Sequence, residues 1–422
     1  MKTASTHTGP LAGMRVLELA QIMAGPTCGM MLADMGADVV KVEKLPGGDD
    51  ARGYKEPLVN GVSAPFMILN RNKRGMALNL KTEQGREILL RMVRDADVLT
   101  ENYRRGTLEK LGLGYDVLSK VNPGLIYCAV SGYGRDGPYG DKAGFDLIAQ
   151  GFAGLMSITG EPGGPPVKTG NSIADINAGI LAAVGILAAY AHKQKTGRGQ
   201  VVDTSLMEAA LQQTYWHAAL YFATGESPGP TGSAHLLAAP YQAFQTLDGW
   251  INIGGANQAN WTRIAQVLGH PEWCDDPRYA DNTARMQNLD SLTAAMSEVL
   301  LRHDRAHWLR AFDAAGVPVG PVHDIGQALT HPQALSRNMV VELVHPQAGP
   351  TRALGCPIHF SETPTQIRRA APMLGEHTRE LLGEYGYSSA QIDDFAAAGV
   401  VQDAAASSSC PVSKTGSPMT PV

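Results

Sequence analysis

Asp175 is a carboxylate in this 422-residue sequence that could either cap a helix or do chemistry. It stands just before Ala178–Ala191, AGILAAVGILAAYA, the longest apolar run of the chain. Two readings are open at that point. An Asp ahead of an apolar run is a common helix N-cap, its carboxylate accepting from a free backbone N–H. The same place suits a nucleophile, because a helix dipole and unpaired N–H groups favour the ionised form, and a carboxylate must be ionised to attack. Other chemistry-bearing patterns are weaker. Gly132-x-Gly134-x-x-Gly137 formally matches a dinucleotide fingerprint, but Pro138 follows at once and makes a poor helix opening, so NAD is not expected. Twelve histidines show no HExxH-like spacing, so no metal site is expected. Five cysteines (Cys28, Cys128, Cys274, Cys356, Cys410) are scattered without paired spacing, which fits reduced cytosolic thiols rather than disulfides or zinc.

The elements that must position Asp175 are legible as alternation. MRVLELA reads as a strand, Pro26 to Met35 as a helix, DVVKVE and GMALNL as strands, and Glu83 to Ala96 as an amphipathic helix. DVLTEN and LIYCAVS are two further strands. Strand–helix alternation predicts a parallel sheet with right-handed crossovers, a Rossmann-like α/β layer. Asp175 to Gln194 is a helix candidate stopped by Gly197 and Gly199, followed by the strand VVDTSL and a helix from Glu208 to Ala223. SPGPTGS (227–233) is a Gly/Pro-rich break. YQAFQTLDGWINIGG reads as a β-hairpin turning at Asp248-Gly249, with helices from Asn257 to Leu268 and from Asn288 to Ala315. Val340 to Phe360 is β-like again. The expected division is a large Rossmann-like domain over 1–225, a smaller α+β domain over 226–335, a return segment over 336–402 and a disordered tail over 403–422.

Composition bounds the partners. Hydrophobic content of 44% with 18% charge is that of a soluble globular chain. A net charge of −5 gives no general reason to expect nucleic acid or an anionic membrane, so an anionic ligand needs a local basic cluster. The polar start MKTASTHTGPLAG has no signal-peptide core, and a 14-residue apolar run is short for a bilayer span; a cytoplasmic protein is expected.

Six stretches together resemble the class III (CaiB/BaiF-type) CoA-transferase family. They are VLELAQIMAGPTCGMMLADMGADVVKVEK, NRNKRGMALNL, ADVLTENYRRGTLEKLGLGY, SGYGRDGPY, GFDLIAQGFAGLMSITG and IADINAGILAAVGILAAYAHKQKTGRGQVVDTSLME. The match in order and spacing runs from about residue 15 to 208, with a looser likeness towards residue 400. The resemblance implies an interlocked homodimer, each protomer having a Rossmann-like large domain and a small domain. It implies that Asp175 is the nucleophile, that coenzyme A enters as the acyl-CoA co-substrate, and that small carboxylic acids are the exchange partners, without metal or redox cofactor.

The same likeness places the CoA contacts. Lys44, Lys73, Asn102, Tyr103, Arg104 and Lys110 are the implied cradle, with Arg105 beside them and the small turn Ala24-Gly25-Pro26 after the first strand. Met23 stands where the formyl-CoA/oxalate branch has glutamine, with Gln21 two residues earlier, which counts against an oxalate or formyl substrate. Phe145 stands where racemases of this fold carry a histidine, and phenylalanine cannot carry a proton, which counts against the racemase alternative. Asp146 is either structural or orients the acyl group. His235, in GSAH, is either a satisfied loop histidine or a contact for the acceptor carboxylate. Gly254 and Gly255 fall at the place of the family's glycine-rich loop, expected to swing over the site and exclude water. GSAH, PYQAF and GVPVGPVHDI…HPQ look most like the succinyl-CoA-dependent dicarboxylate transferases, glutarate-type included.

Overall fold

The computed structural model describes residues 8–404. Cys410 and most of the tail expected to be disordered (405–422) lie outside the described residues. Six strands form the parallel part of the main sheet: β1 (Arg15–Glu18), β2 (Asp38–Glu43), β3 (Arg74–Leu78), β4 (Val98–Glu101), β5 (Ile126–Ser131) and β6 (Val201–Ser205). Their spatial order is β3-β2-β1-β4-β5-β6, every neighbouring pair parallel, and a short strand Val401–Gln402 adds antiparallel to β3. β3 and β4 are buried at every residue, as expected of parallel strands covered on both faces. The order of connection reverses between β1 and β4. At such a switch point adjacent crossovers depart in opposite directions and leave a crevice beyond the carboxyl ends of the strands.

Helices of the same compact unit include α1 (Ala24–Asp34), α2 (Glu83–Val93), α3 (Asp146–Phe152), α4 (Ile173–Thr196) and α5 (Leu206–Gln212). α2 is capped by Thr82, whose hydroxyl accepts from Gly85 N, and buries Ile88, Leu89, Met92 and Val93. α4 is 24 residues long and stops at Gly197, in the left-handed conformation at φ 74°. The apolar run thus extends into a helix that is long and apolar enough to cross a membrane by length and composition, a property the 14-residue stretch alone lacks. Small residues let α4 approach its neighbours closely. A Cβ on Gly179 would stand 2.5 Å from the Ala24 carbonyl oxygen, and one on Gly185 would stand 2.6 Å from Val202 Cγ1.

The chain divides into two compact units. The first holds the chain up to Ala153, Gly170–Thr214, and from Leu335 onward; the second holds Gly154–Thr169 and Tyr215–Ala334. The helix Tyr215–Thr224 therefore groups with the second unit, ahead of the expected break near 225. In that unit β7 (Tyr241–Thr246), β8 (Gly249–Gly254) and β9 (Val319–Pro321) form an antiparallel sheet over a core that includes Phe244, Ile251, Trp261 and Phe312. The β-like stretch after 340 pairs with itself as a hairpin, Val340–His345 against Gly349–Leu354.

Candidate active site

A groove of about 340 Å³ opens at the switch point, and Asp175 lines it. The β1–α1 turn contributes Gln21, Ile22, Met23 and Ala24; the residues after β4 contribute Asn102, Tyr103, Arg104 and Arg105. The far wall comes from the end of β5 and from Lys142, Gly144 and Phe145.

Asp175 sits in the first turn of α4, three residues after the N-cap position, Ser172. It is therefore not the N-cap, and its half-buried carboxylate is left facing the groove. Burial first, and the Asp146 carboxylate second, push its pKa up to about 7. Desolvation and the neighbouring acid both favour the protonated form, against the ionised form that a helix N-terminus favours.

Asp146 opens α3 and is itself buried. Its Oδ1 accepts from Ala174 N at 2.9 Å and its Oδ2 accepts from Gln150 Nε2 at 2.7 Å. Of the two roles open for it in the sequence, the structural one is therefore visible: it fixes the backbone next to Asp175 and places negative charge beside it. Phe145, which precedes it, is 73% exposed and walls the groove.

The expected cradle divides into residues that face the groove and residues that do not. Arg104 and Arg105 are exposed and line it. Asn102 lines it too, yet its side-chain amide is engaged with Gln21: Nδ2 donates to Gln21 O at 2.7 Å and Oδ1 accepts from Gln21 N at 2.9 Å. It stitches the end of β4 to the end of β1. Tyr103 donates its N–H to Glu101 Oε2 at 2.7 Å, and burial pushes its phenol up to about 12. Lys44 is exposed, bonded to Asp50 Oδ1 at 2.5 Å and to Gln21 Oε1 at 3.4 Å; it and the exposed Lys110 lie outside the groove lining.

Lys73 needs correction. It is fully buried, with its ammonium 2.8 Å from Glu18 Oε2 and 2.9 Å from both Pro26 O and Asn70 Oδ1. A cation with every proton engaged inside the core is not open to a phosphate. Lys142 is the cation the sequence reading missed. It lines the groove and lies 3.4 Å above the Tyr139 ring centroid. The glycine motif nearby has a structural account. Gly132 and Gly144 pack backbone to backbone, a Cβ on Gly132 standing 2.7 Å from Gly144 Cα, while Gly134 and Gly137 take positive φ in turns.

The remaining expected residues belong to the second unit. His235 accepts from Leu237 N through Nδ1 at 3.1 Å, and its ring meets Trp216 and Tyr241 edge-on at 5.1 and 5.0 Å. Gly254 N donates to Pro318 O and Gly255 N to Pro240 O, both at 2.8 Å. A Cβ on Gly255 would stand 2.5 Å from Pro240 O. In this conformation these glycines serve close backbone packing at the end of β8.

The family model for CoA-transferase family III matches residues 11–378, a span that includes the switch point, the groove and Asp175. The chain belongs to CoA-transferase family III. The transferase is 39% identical over 381 residues to the succinate–glutarate CoA-transferase of Agrobacterium fabrum, covering 89% of this chain and 95% of that protein. It is 37% identical over 386 residues to the acetyl-CoA:oxalate CoA-transferase of Acetobacter aceti, covering 91% and 97%. Among solved structures, a CaiB/BaiF family protein from Brucella suis superimposes with a TM-score of 0.81 at 38% identity, over 90% of this chain and all of that one. The transferase is thus an enzyme of the class that uses CoA thioesters as co-substrates.

Proposed function

We propose that the transferase moves CoA from succinyl-CoA to a C4–C6 dicarboxylate through a covalent intermediate on Asp175. The observation that carries this is a carboxylate facing a switch-point groove that also presents Arg104, Arg105 and Lys142. Three cations suit the phosphates of CoA, and the groove gives a thioester access to the carboxylate.

The steps balance as follows. A carboxylate oxygen of Asp175 attacks the thioester carbonyl; the new C–O bond replaces the C–S bond, and CoA leaves as thiolate. The thiolate then attacks the aspartyl carbonyl of the mixed anhydride, forming an aspartyl thioester and releasing the donor acid as its carboxylate. The acceptor carboxylate attacks that thioester, expelling the thiolate again. The thiolate finally attacks the acceptor's acyl carbon, yielding the new acyl-CoA and restoring Asp175. No net proton is consumed. Because the nucleophile is the ionised form, raising its pKa to about 7 couples activity to pH while leaving a more basic oxygen. Phe145 at the groove wall has no proton to exchange, which supports transfer over inversion at an α-carbon.

The dicarboxylate reading is supported by the GSAH and PYQAF stretches and by likeness to a relative named for succinate and glutarate. We also infer a homodimer, supported by the half-exposed apolar side chains Phe152, Val184 and Leu211. The test is incubation with succinyl-CoA and a panel of acids, with chromatographic detection of new acyl-CoA species. Glutarate-sized acids should exchange and Asp175→Ala should abolish exchange. No exchange across the panel, or an active Asp175→Ala, would sink the reading.

A further inference from the structure

The β1–α1 turn is held by a buried charge relay that the transfer steps above do not use. Ile22 lies in the left-handed region at φ 67°. Among the described residues, the other non-glycine residues there are Asn60, Asn72 and Asn338, a type that tolerates this conformation, whereas a β-branched side chain is a true outlier in it. Strain of this kind persists only where the surroundings over-determine it.

The surroundings do so with charge. Ile22 N donates to Asp49 Oδ1 at 3.0 Å, and the same oxygen accepts from Ala51 N at 2.9 Å. Asp49 Oδ2 pairs with the Lys41 ammonium at 2.8 Å. Lys41 in turn donates to Ala20 O at 2.9 Å and Glu18 Oε1 at 3.0 Å. Asp49, Lys41 and Glu18 are all buried. With Asn102 holding Gln21 N and O, the backbone of three consecutive residues, Ala20 to Ile22, is gripped from both sides.

We propose that Asp49 is a positioning residue: paired with Lys41, it holds Ile22 in the left-handed conformation and so sets the Gln21–Ala24 wall of the Asp175 groove. The proposal rests on the reading that this groove takes the CoA thioester. Burial alone would raise the Asp49 carboxyl, but attraction to Lys41 and the hydrogen bonds from Lys41, Ala51 and Ile22 hold it below the usual range, so the clamp is anionic. Without the clamp, isoleucine at 22 relaxes toward negative φ and carries the turn with it. Glycine at 22 adopts positive φ freely and has no need of a clamp.

The test compares wild type, Asp49→Ala and Asp49→Ala/Ile22→Gly by exchange of isotopically labelled succinate into succinyl-CoA and by calorimetric binding of CoA. Asp49→Ala should lower kcat/KM and weaken CoA binding, each on the order of tenfold, and the added glycine should restore both to within about threefold. Asp49→Asn, which keeps an oxygen for both N–H groups but loses the charge that pairs with Lys41, replaces the alanine variant if that one fails to fold, and should weaken CoA binding by a smaller factor that Ile22→Gly again restores. A purely structural Asp49 would lower Tm while leaving kinetics per folded molecule and CoA affinity unchanged. That result, or a double variant no better than the single one, overturns the proposal. Asp175→Ala is carried alongside: its activity bears on the nucleophile alone, and loss of exchange there with intact CoA binding leaves the clamp to be judged by calorimetry.

Discussion

Replacing Asp146 by asparagine should shift the pH at which Asp175 becomes reactive. Two causes lift the Asp175 carboxyl from its ordinary 3.8 to about 7: burial, the larger, and the Asp146 charge. The smaller of two contributions accounts for less than half of that rise, so removing it should lower the acid limb by about one pH unit. Asparagine retains an Oδ1 able to accept from Ala174 N, the 2.9 Å bond that fixes the start of α4, so this anchor is kept while the charge and the bond accepted from Gln150 Nε2 are lost. The assay is kcat/KM for succinyl-CoA exchange from pH 5 to 9, which reports ionisations of the free enzyme. Wild type should gain activity as pH rises through about 7, and the variant should gain it through about 6. An unmoved midpoint with an unchanged Tm would show that Asp146 does not contribute to the field at Asp175, and the reasoning would fail.

Other outcomes follow from the same geometry. The raised Asp175 pKa means the folded state keeps a proton the unfolded chain has lost, so this group's ionisation lowers stability as pH rises from about 4 to 7. Asp175→Asn should therefore be stabilised above pH 7 relative to wild type, by about 1–2 kcal/mol once solvent access to the groove is allowed for, and should lose that advantage by pH 4 in thermal melts. Lys73→Met should cost about 3–5 kcal/mol by leaving Glu18 short of a partner, without a selective rise in KM for acyl-CoA; a KM effect at full stability would return Lys73 to the cradle. Arg104→Ala/Arg105→Ala should raise KM for acyl-CoA by about tenfold or more and flatten its salt dependence, measured between 50 and 300 mM NaCl. Gly179→Ala should lower Tm by forcing α4 from α1, a cost of about 1–3 kcal/mol, since its Cβ would stand 2.5 Å from Ala24 O.

The fold was legible where the physics is local. Short β-rich runs between helical stretches mark β1 to β6, and the glycines after α4 mark its stop. The strand ends point to the ligand groove, because in such sheets it lies beyond them, whereas the switch point needs the strand order of the fold. What escaped was set by partners far along the chain. Asn70 to Arg74, five polar residues in a row, look like a solvated loop, yet all five are buried. Arg71 and Asn72 bond Asp34, Lys73 pairs with Glu18, and Arg74 pairs with Asp38. The bond from Asp146 to Ala174 spans 28 positions, so nothing local marked Asp146 as the neighbour that tunes Asp175. Gly255 reads as a hinge in sequence, and only the nearby Pro240 carbonyl shows that it is there for want of space.

The most direct measurement is to quench the transferase with hydroxylamine during turnover of succinyl-CoA and map the product by peptide mass spectrometry. A hydroxamate on Asp175, absent without succinyl-CoA and absent in Asp175→Asn, is the predicted result. A modified residue elsewhere, or CoA exchange at full rate with Asp175 never labelled, would contradict the account.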